Sequence, residues 1–223
     1  MTRKFASPVC YAAEIAPDYF DPLGVDAQQK TDVDRWRKAK RAELIAARSA
    51  LSGAERMGIA GQITDHLESL IARIFPNPEG KVISGYWPIK SEPDLRECML
   101  RCQNLGMITA LPVVEKRAAP LTFRPWQKGC AMERGFWNIP VPATTATVVP
   151  DIVIAPLVGW DASGYRLGYG GSYFDRTLAH IKPFKIGTGH QGAQLPTIFP
   201  QPHDIALDAI ITEKGIAFLN RSV

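Results

Sequence analysis

Cysteine and histidine are scarce in this chain, with four of each among 223 residues. Cys10, Cys98, Cys102 and Cys130 are too few and too scattered for a disulfide framework. Cys98 and Cys102 stand four apart and would share one face of a helix. They read as half of a metal site or as two small buried residues, and the second reading is favoured because no further Cys or His pair completes a tetrahedral set. His66, His180, His190 and His203 lie far apart without ligand spacing, although His190 ends an expected strand and so borders a possible site. Long apolar runs are also missing: none approaches the roughly 18–20 residues that span a bilayer. Arg3 and Lys4 are followed by no signal-like stretch before Glu14 and Asp18. A cytoplasmic protein without membrane contact is expected.

Several motifs are absent as well. There is no G-x-x-x-x-G-K-[ST], and G-x-G-x-x-G fails because Tyr173 stands where its last glycine would be. There is no G-x-S-x-G elbow, and Ser172 has no histidine nearby in sequence, which argues against a serine nucleophile. The net charge of +4 suits an anionic small molecule. The basic segment Arg35–Arg48 lacks the interleaved aromatics of a nucleic-acid surface, so no nucleic-acid partner is expected.

Hydrophobic residues make up 46% and charged residues 22%, an ordinary globular balance. Residues 1–30 carry Pro8, Pro17, Pro22 and Gly24 among Phe5, Tyr11, Tyr19 and Phe20, and read as an irregular arm that packs onto something. Residues 31–223 read as a single domain. Thr31-x-x-Asp34 resembles a capping box opening a first helix, along which Arg35, Arg37, Lys38, Lys40, Arg41 and Arg48 crowd. Ser52-x-x-Glu55 opens a second, with Ile59, Ile63, Leu67, Leu70, Ile71 and Ile74 on its apolar face and Pro76 and Pro78 beyond its end. Strands are expected at 81–87, 107–114, 121–126, 151–158, 185–190 and 206–212, with helices from about Pro93 and over 173–181. The unbroken run Ile152-Val153-Ile154-Ala155 suits a strand covered on both faces. Such alternation predicts an α/β fold: a single three-layer domain with a mostly parallel central sheet and flanking helices.

In an open sheet of this kind, ligands bind beyond the carboxyl ends of strands. The segment after strand 151–158 runs GWDASGYRLGYGGSYFDR, residues 159–176. Gly168, Gly170 and Gly171 let backbone N–H groups approach an anion, and Arg166 offers a fork of donors for phosphate. On spacing alone a plain strand-to-helix turn remains the competing reading. Asp175 favours a ligand site: a carboxylate beside phosphate calls for a cation, and Mg2+ is the natural candidate, with Asp208 able to supply a second oxygen. Glu92 is placed to accept hydrogen bonds from a polar ligand or to cap a helix, and Trp137 to stack on a flat ring or to fill the core.

The stretch GYRLGYGGSYFDRTLA (164–179) resembles the signature of the 5-formyltetrahydrofolate cyclo-ligase family, also called methenyltetrahydrofolate synthetases. FWNIPVP (136–142), SGYWPIKSEPDL (84–95), the helix and LS-x-x-E start over 37–55, and IALDAIIT (205–212) resemble further family segments, in the same order. The resemblance implies ATP-dependent closure of 5-formyltetrahydrofolate to 5,10-methenyltetrahydrofolate. It implies ATP contacts from Arg37, Arg41, Arg166, Leu167, Gly168, Tyr169, Gly170, Gly171, Ser172, Tyr173 and Phe174. It implies folate contacts from Trp87, Glu92 and Trp137 and from Tyr169 to Tyr173, and Mg2+ ligation by Asp175 and Asp208. The implied partners are ATP and a reduced folate, bound to a monomer or weak homo-oligomer. Some family members carry Arg and Lys in the glycine loop where this chain has Tyr169 and Gly171, which shifts the phosphate contacts toward Arg166, Arg37 and Arg41. A same-fold protein acting on another formylated or carboxylated metabolite, or a non-catalytic regulator that binds folate or nucleotide, are the competing expectations.

Overall fold

Apolar runs alternating with amphipathic helices assemble a seven-stranded sheet among the residues described by the computed structural model, which are 27–220. The helices are α1 (Ala27–Ser49), α2 (Gly53–Ile74), α3 (Arg96–Asn104) and α4 (Tyr173–Leu178). The strands are β1 (Val82–Ser84), β2 (Ile108–Val113), β3 (Thr122–Pro125), β4 (Met132–Arg134), β5 (Pro140–Pro142), β6 (Ile152–Pro156), β7 (Gly159–Asp161), β8 (Arg166–Leu167), β9 (Phe184–Thr188), β10 (Gln194–Leu195), β11 (Ala209–Thr212) and β12 (Gly215–Leu219). The large sheet has the order β12-β11-β9-β6-β1-β2-β3. Its five central strands are parallel, and β3 and β12 are antiparallel edges. From β1 the chain passes through α3 to β2, whereas β6 is followed by β9 and β11 on its other side. The strand order therefore reverses between β1 and β6, and a crevice opens beyond their carboxyl ends.

Strand β6 explains the layering. Ile152 and Ile154 pack with Ile63, Leu67, Leu70 and Ile71 of α2, while Val153 meets Leu178 of α4 on the opposite face. Both faces being covered, every position from Ile152 to Ala155 is fully buried, as an unbroken apolar run requires. The α2 start follows the expected capping box: Glu55 N–H donates to Ser52 Oγ at 3.2 Å, and Ser52 N–H donates to the Glu55 carboxylate at 2.8 Å. Cys98 and Cys102 lie in the core on α3, which supports the packing reading of that pair.

Other elements depart from expectation. Helix α1 already begins at Ala27, so Thr31 sits inside the helix rather than capping it. Residues 1–26, which hold Cys10 and the arm's aromatics, lie outside the described residues. Helix α3 starts at Arg96 rather than near Pro93, because Asp94 Oδ1 takes the Arg96 N–H at 3.1 Å. The segment expected as a loop over 159–167 instead forms β7 and β8, which join β10 in a small three-stranded sheet. Strand β12 follows the strand expected to be last. Helix α1 buries Val33 and Trp36 against Leu167, Leu195, Ile198 and Phe199, so it is fixed to this smaller sheet. No helix of the described residues is long and apolar enough to cross a membrane.

Candidate active site

The glycine loop leaves β8 and enters α4. Gly170 has φ +90° and Ser172 φ +49°, left-handed conformations that turn the chain sharply; glycine takes them without cost, and serine takes them here at the expected glycine-rich bend. Among the described residues, the backbone N–H groups of Tyr169 through Phe174 have no hydrogen-bond acceptor. They are available to an anion. Arg176 donates to Gly171 O and holds the loop from the helix side.

Arg37, Arg41 and Arg48 recur along the inner face of α1, and the structure separates their tasks. Arg37 is buried, donating to Ile198 O at 2.9 Å, Phe199 O at 2.8 Å and Asp204 at 2.5 Å. It ties α1 to the segment before β11. Arg41 instead donates its Nε to Gly168 O at 2.7 Å, and a Cβ on Gly170 would stand 3.5 Å from its guanidinium. No carboxylate of the described residues pairs with Arg41. Burial and then the neighbouring Arg37 lower its proton affinity, a strain that a bound anion would relieve.

Arg166, expected to contact phosphate, is held by partners within the chain. It lies on β8 beneath the loop, with 6% of its surface exposed, donating to Asp175 at 2.7 Å and to Ile205 O at 3.3 Å. Its ring neighbour is Phe174, 5.8 Å from the guanidinium. The cation that Asp175 needs is thus supplied first by the chain itself. Leu167 is a core residue of the α1 interface.

Across the crevice, Glu92 follows β1 and is 5% exposed. Its Oε2 accepts the Ile89 N–H at 2.8 Å and its Oε1 accepts the Tyr169 hydroxyl at 2.7 Å. Burial raises its carboxyl above the ordinary range, against the opposing pull of the Ile89 N–H, Tyr169, Arg48 and Lys90. Glu92 and Trp87 line a cavity of about 1020 Å³ that also meets Arg56, Arg96, Lys128 and Trp126. Trp137 and the glycine loop are not part of its wall. Trp137 is no core residue: it is 61% exposed on the turn between β4 and β5, edge-on to Tyr173 with ring centroids 5.5 Å apart.

The two carboxylates expected to share a metal are differently placed. Asp208 lies at the amino ends of β9 and β11, where Lys185 Nζ and N–H occupy both of its oxygens at 2.7–2.9 Å. Asp175 Oδ1 accepts from Arg166 and from Ile205 N–H, the latter at 3.2 Å, which brings it within one residue of Asp204 along the chain. Asp204 accepts from Arg37 and the Gln201 N–H through Oδ2, and its Oδ1 lies 3.9 Å from His203 Nε2. Among the described residues, no hydrogen-bond donor reaches Asp175 Oδ2 or Asp204 Oδ1. No cluster of three or more His, Cys, Asp or Glu side chains among them forms a metal cage. Mg2+ commonly takes one or two carboxylates with phosphate and water; the Asp175 and Asp204 oxygens without hydrogen-bond donors suit such an ion, whereas Asp208 has both of its oxygens taken by Lys185. Asp204 and Arg48 were not singled out by sequence; Arg48 did share a helix face with Arg41, seven residues away, but Asp204 belongs to no motif.

The fold and this crevice define an α/β protein whose glycine loop, with free N–H groups beside Arg41, stands next to an apolar cavity at the point where the strand order reverses. The chain belongs to the 5-formyltetrahydrofolate cyclo-ligase family, whose sequence model matches residues 33–213. It is 30% identical over 196 residues to a 5-formyltetrahydrofolate cyclo-ligase of Mycolicibacterium smegmatis, covering 83% of this chain and 98% of the relative. The cyclo-ligase of Mycoplasma pneumoniae is 27% identical over 183 residues, covering 80% of this chain and 99% of its own length. Among solved structures, the 5,10-methenyltetrahydrofolate synthetase of Aquifex aeolicus superposes with a TM-score of 0.69 at 27% identity, over 81% of this chain and 91% of that one.

Proposed function

We propose that the protein closes 5-formyltetrahydrofolate to 5,10-methenyltetrahydrofolate at the expense of ATP, releasing ADP and phosphate. The observation that carries this reading is the pairing of two unlike half-sites across one crevice. One is a glycine loop with free N–H groups under an arginine that lacks a carboxylate partner. The other is a buried carboxylate beside an aromatic-lined cavity. The first suits polyphosphate; the second suits a pterin edge that presents N–H donors, with Arg56 and Lys128 available to glutamyl carboxylates.

A formamide carbon is a poor electrophile because the nitrogen lone pair is delocalised into the carbonyl. Attack of the formyl oxygen on the γ-phosphorus of ATP expels ADP and turns that oxygen into a leaving group. N10 of the folate then bonds to the formyl carbon, the carbon–oxygen bond breaks with departure of phosphate, and the N10 proton is lost. No side-chain nucleophile is required. The chain's tasks are to align two ligands and to stabilise negative charge on the moving phosphoryl group, which Arg41 and the loop N–H groups are positioned to do. Mg2+, held by Asp175 and Asp204, would supply charge neutralisation for the nucleotide's phosphates.

The decisive experiment combines purified protein, Mg-ATP and 5-formyltetrahydrofolate and follows the near-ultraviolet absorbance of the methenyl product. Product formation matched by ADP release is expected. Saturable folate binding without product would replace this reading with a regulator. Absence of folate binding would favour a different formylated substrate.

A further inference from the structure

Arg48 sits where the two half-sites meet. It is buried, and each of its three nitrogens has an acceptor from a different segment: Nε donates to Lys90 O at 3.0 Å, Nη1 to Leu157 O at 3.1 Å, and Nη2 to the Tyr169 hydroxyl at 2.6 Å. Lys90 belongs to the turn after β1, Leu157 follows β6, and Tyr169 lies in the glycine loop. One side chain from α1 therefore spans the crevice at its base. None of these acceptors is a carboxylate, and a buried cation without a counter-charge is costly. The counter-charge is one bond further on, at Glu92.

We propose that Arg48 is a positioning residue that acts through the Tyr169 hydroxyl to fix Glu92 as an ionised acceptor for N–H groups of the folate. This rests on the function proposed above. The direction of the chain follows from its chemistry. A guanidinium only donates, so the Tyr169 oxygen accepts from Arg48 and its single proton goes to Glu92 Oε1. The other oxygen already accepts the Ile89 N–H. With both oxygens accepting, the carboxylate presents its remaining lone pairs to the cavity it lines. A ligand edge with adjacent N–H donors is matched; one with carbonyl acceptors is repelled.

The turn that carries Glu92 depends on the same contact. Lys90 (φ +46°) and Ser91 (φ +62°) are both left-handed and neither is glycine. Arg48 holds the first through its carbonyl, and Arg56 donates to Ser91 Oγ at 2.9 Å. Tyr169, set in a loop expected to contact nucleotide, thereby answers to the folate side.

The test compares wild type with Tyr169→Phe, Arg48→Met and Arg48→Lys. Each is titrated with 5-formyltetrahydrofolate in a calorimeter, then assayed for KM toward each substrate. Tyr169→Phe removes one hydroxyl and is expected to weaken folate binding about 10- to 100-fold, with the KM for ATP within about twofold of wild type. Arg48→Met should weaken folate binding similarly, Arg48→Lys should restore part of it, and the Arg48→Met/Tyr169→Phe double variant should be little worse than either alone, because both act through one path. Should Arg48→Met not fold, Tyr169→Phe carries the test. Unchanged folate binding in Tyr169→Phe, or a parallel rise in the KM for ATP, overturns the proposal while leaving wild-type turnover and the assigned reaction intact. Failure of wild type to bind or convert 5-formyltetrahydrofolate overturns both.

Discussion

Arg41 and Gly168 are joined by a single hydrogen bond from the arginine Nε to the glycine carbonyl, 2.7 Å long, while Arg37, one turn earlier on the same helix, is consumed by Asp204 and two backbone carbonyls. Two arginines that look equivalent in sequence thus have different partners. Arg41→Ala is expected to raise the KM for ATP about 10- to 100-fold with little change in thermal stability. Arg37→Ala should instead destabilise the fold by about 3–5 kcal/mol, because it leaves Asp204 buried without its partner. Denaturant titration beside ATP kinetics separates them; equal losses of stability would count against the division.

The carboxylates give a second contrast. Asp175→Asn and Asp204→Asn should increase the Mg2+ concentration needed for half-maximal rate by at least about tenfold. Asp208→Asn should leave that requirement unchanged and lower the melting temperature by a few degrees, since it frees Lys185. A Mg2+ titration at saturating ATP is the measurement. A shift with Asp208→Asn and none with Asp204→Asn would restore the pairing expected from sequence.

Trp137 is 61% exposed and edge-on to Tyr173. Replacing it with alanine should change stability by no more than about 0.5 kcal/mol. If the ring stacks on the folate, its loss removes about 0.5–1.5 kcal/mol of binding, a two- to tenfold rise in KM. An unchanged KM would remove Trp137 from the site.

The pH dependence has opposite signs for binding and folding. Burial raises the Glu92 carboxyl, so it takes up a proton at higher pH than an exposed glutamate. Folate affinity should fall as pH drops through that raised value, and Tyr169→Phe should move the fall to still higher pH. Folding runs the other way: the cost of burying the charge is fully present above the folded-state value and disappears as pH falls below the unfolded one. Arg48 from α1, Tyr86 and Lys90 from the segment after β1, and Tyr169 from the loop act on this group; of these, the phenols of Tyr86 and Tyr169 are themselves raised, first by burial. Calorimetric folate titrations across pH test the sign, and an affinity that rises on acidification would reverse it.

Features set by local chemistry were legible in the sequence. The Ser52–Glu55 capping box and the apolar stripe from Ile59 to Ile74 are encoded within one helix, and the buried strand at 152–155 announces itself by having no polar face. The small sheet was not legible: β8 and β10 have two residues each, and β10 finds β7 only across a long intervening stretch of chain. That hidden sheet is what buries Arg166. Arg37 and Arg41 share a helical face, so spacing could not assign one to structure and the other to an anion. Asp204 lay outside every recognisable pattern, and only the fold brings its neighbour Ile205 to Asp175.

Helix α1 reaches its partners late in the chain: Arg37 bonds to residues 161, 162 and 167 positions away. During synthesis this helix has no seat until Ile198, Phe199 and Asp204 have emerged, so its apolar stripe must wait while the sheet forms. Loop closure over that distance places α1 docking among the slowest events of folding. A nascent chain halted before Ile198 would hold most of its strands while Val33 and Trp36 still lacked Ile198 and Phe199, and those exposed side chains would mark it for chaperones or proteases.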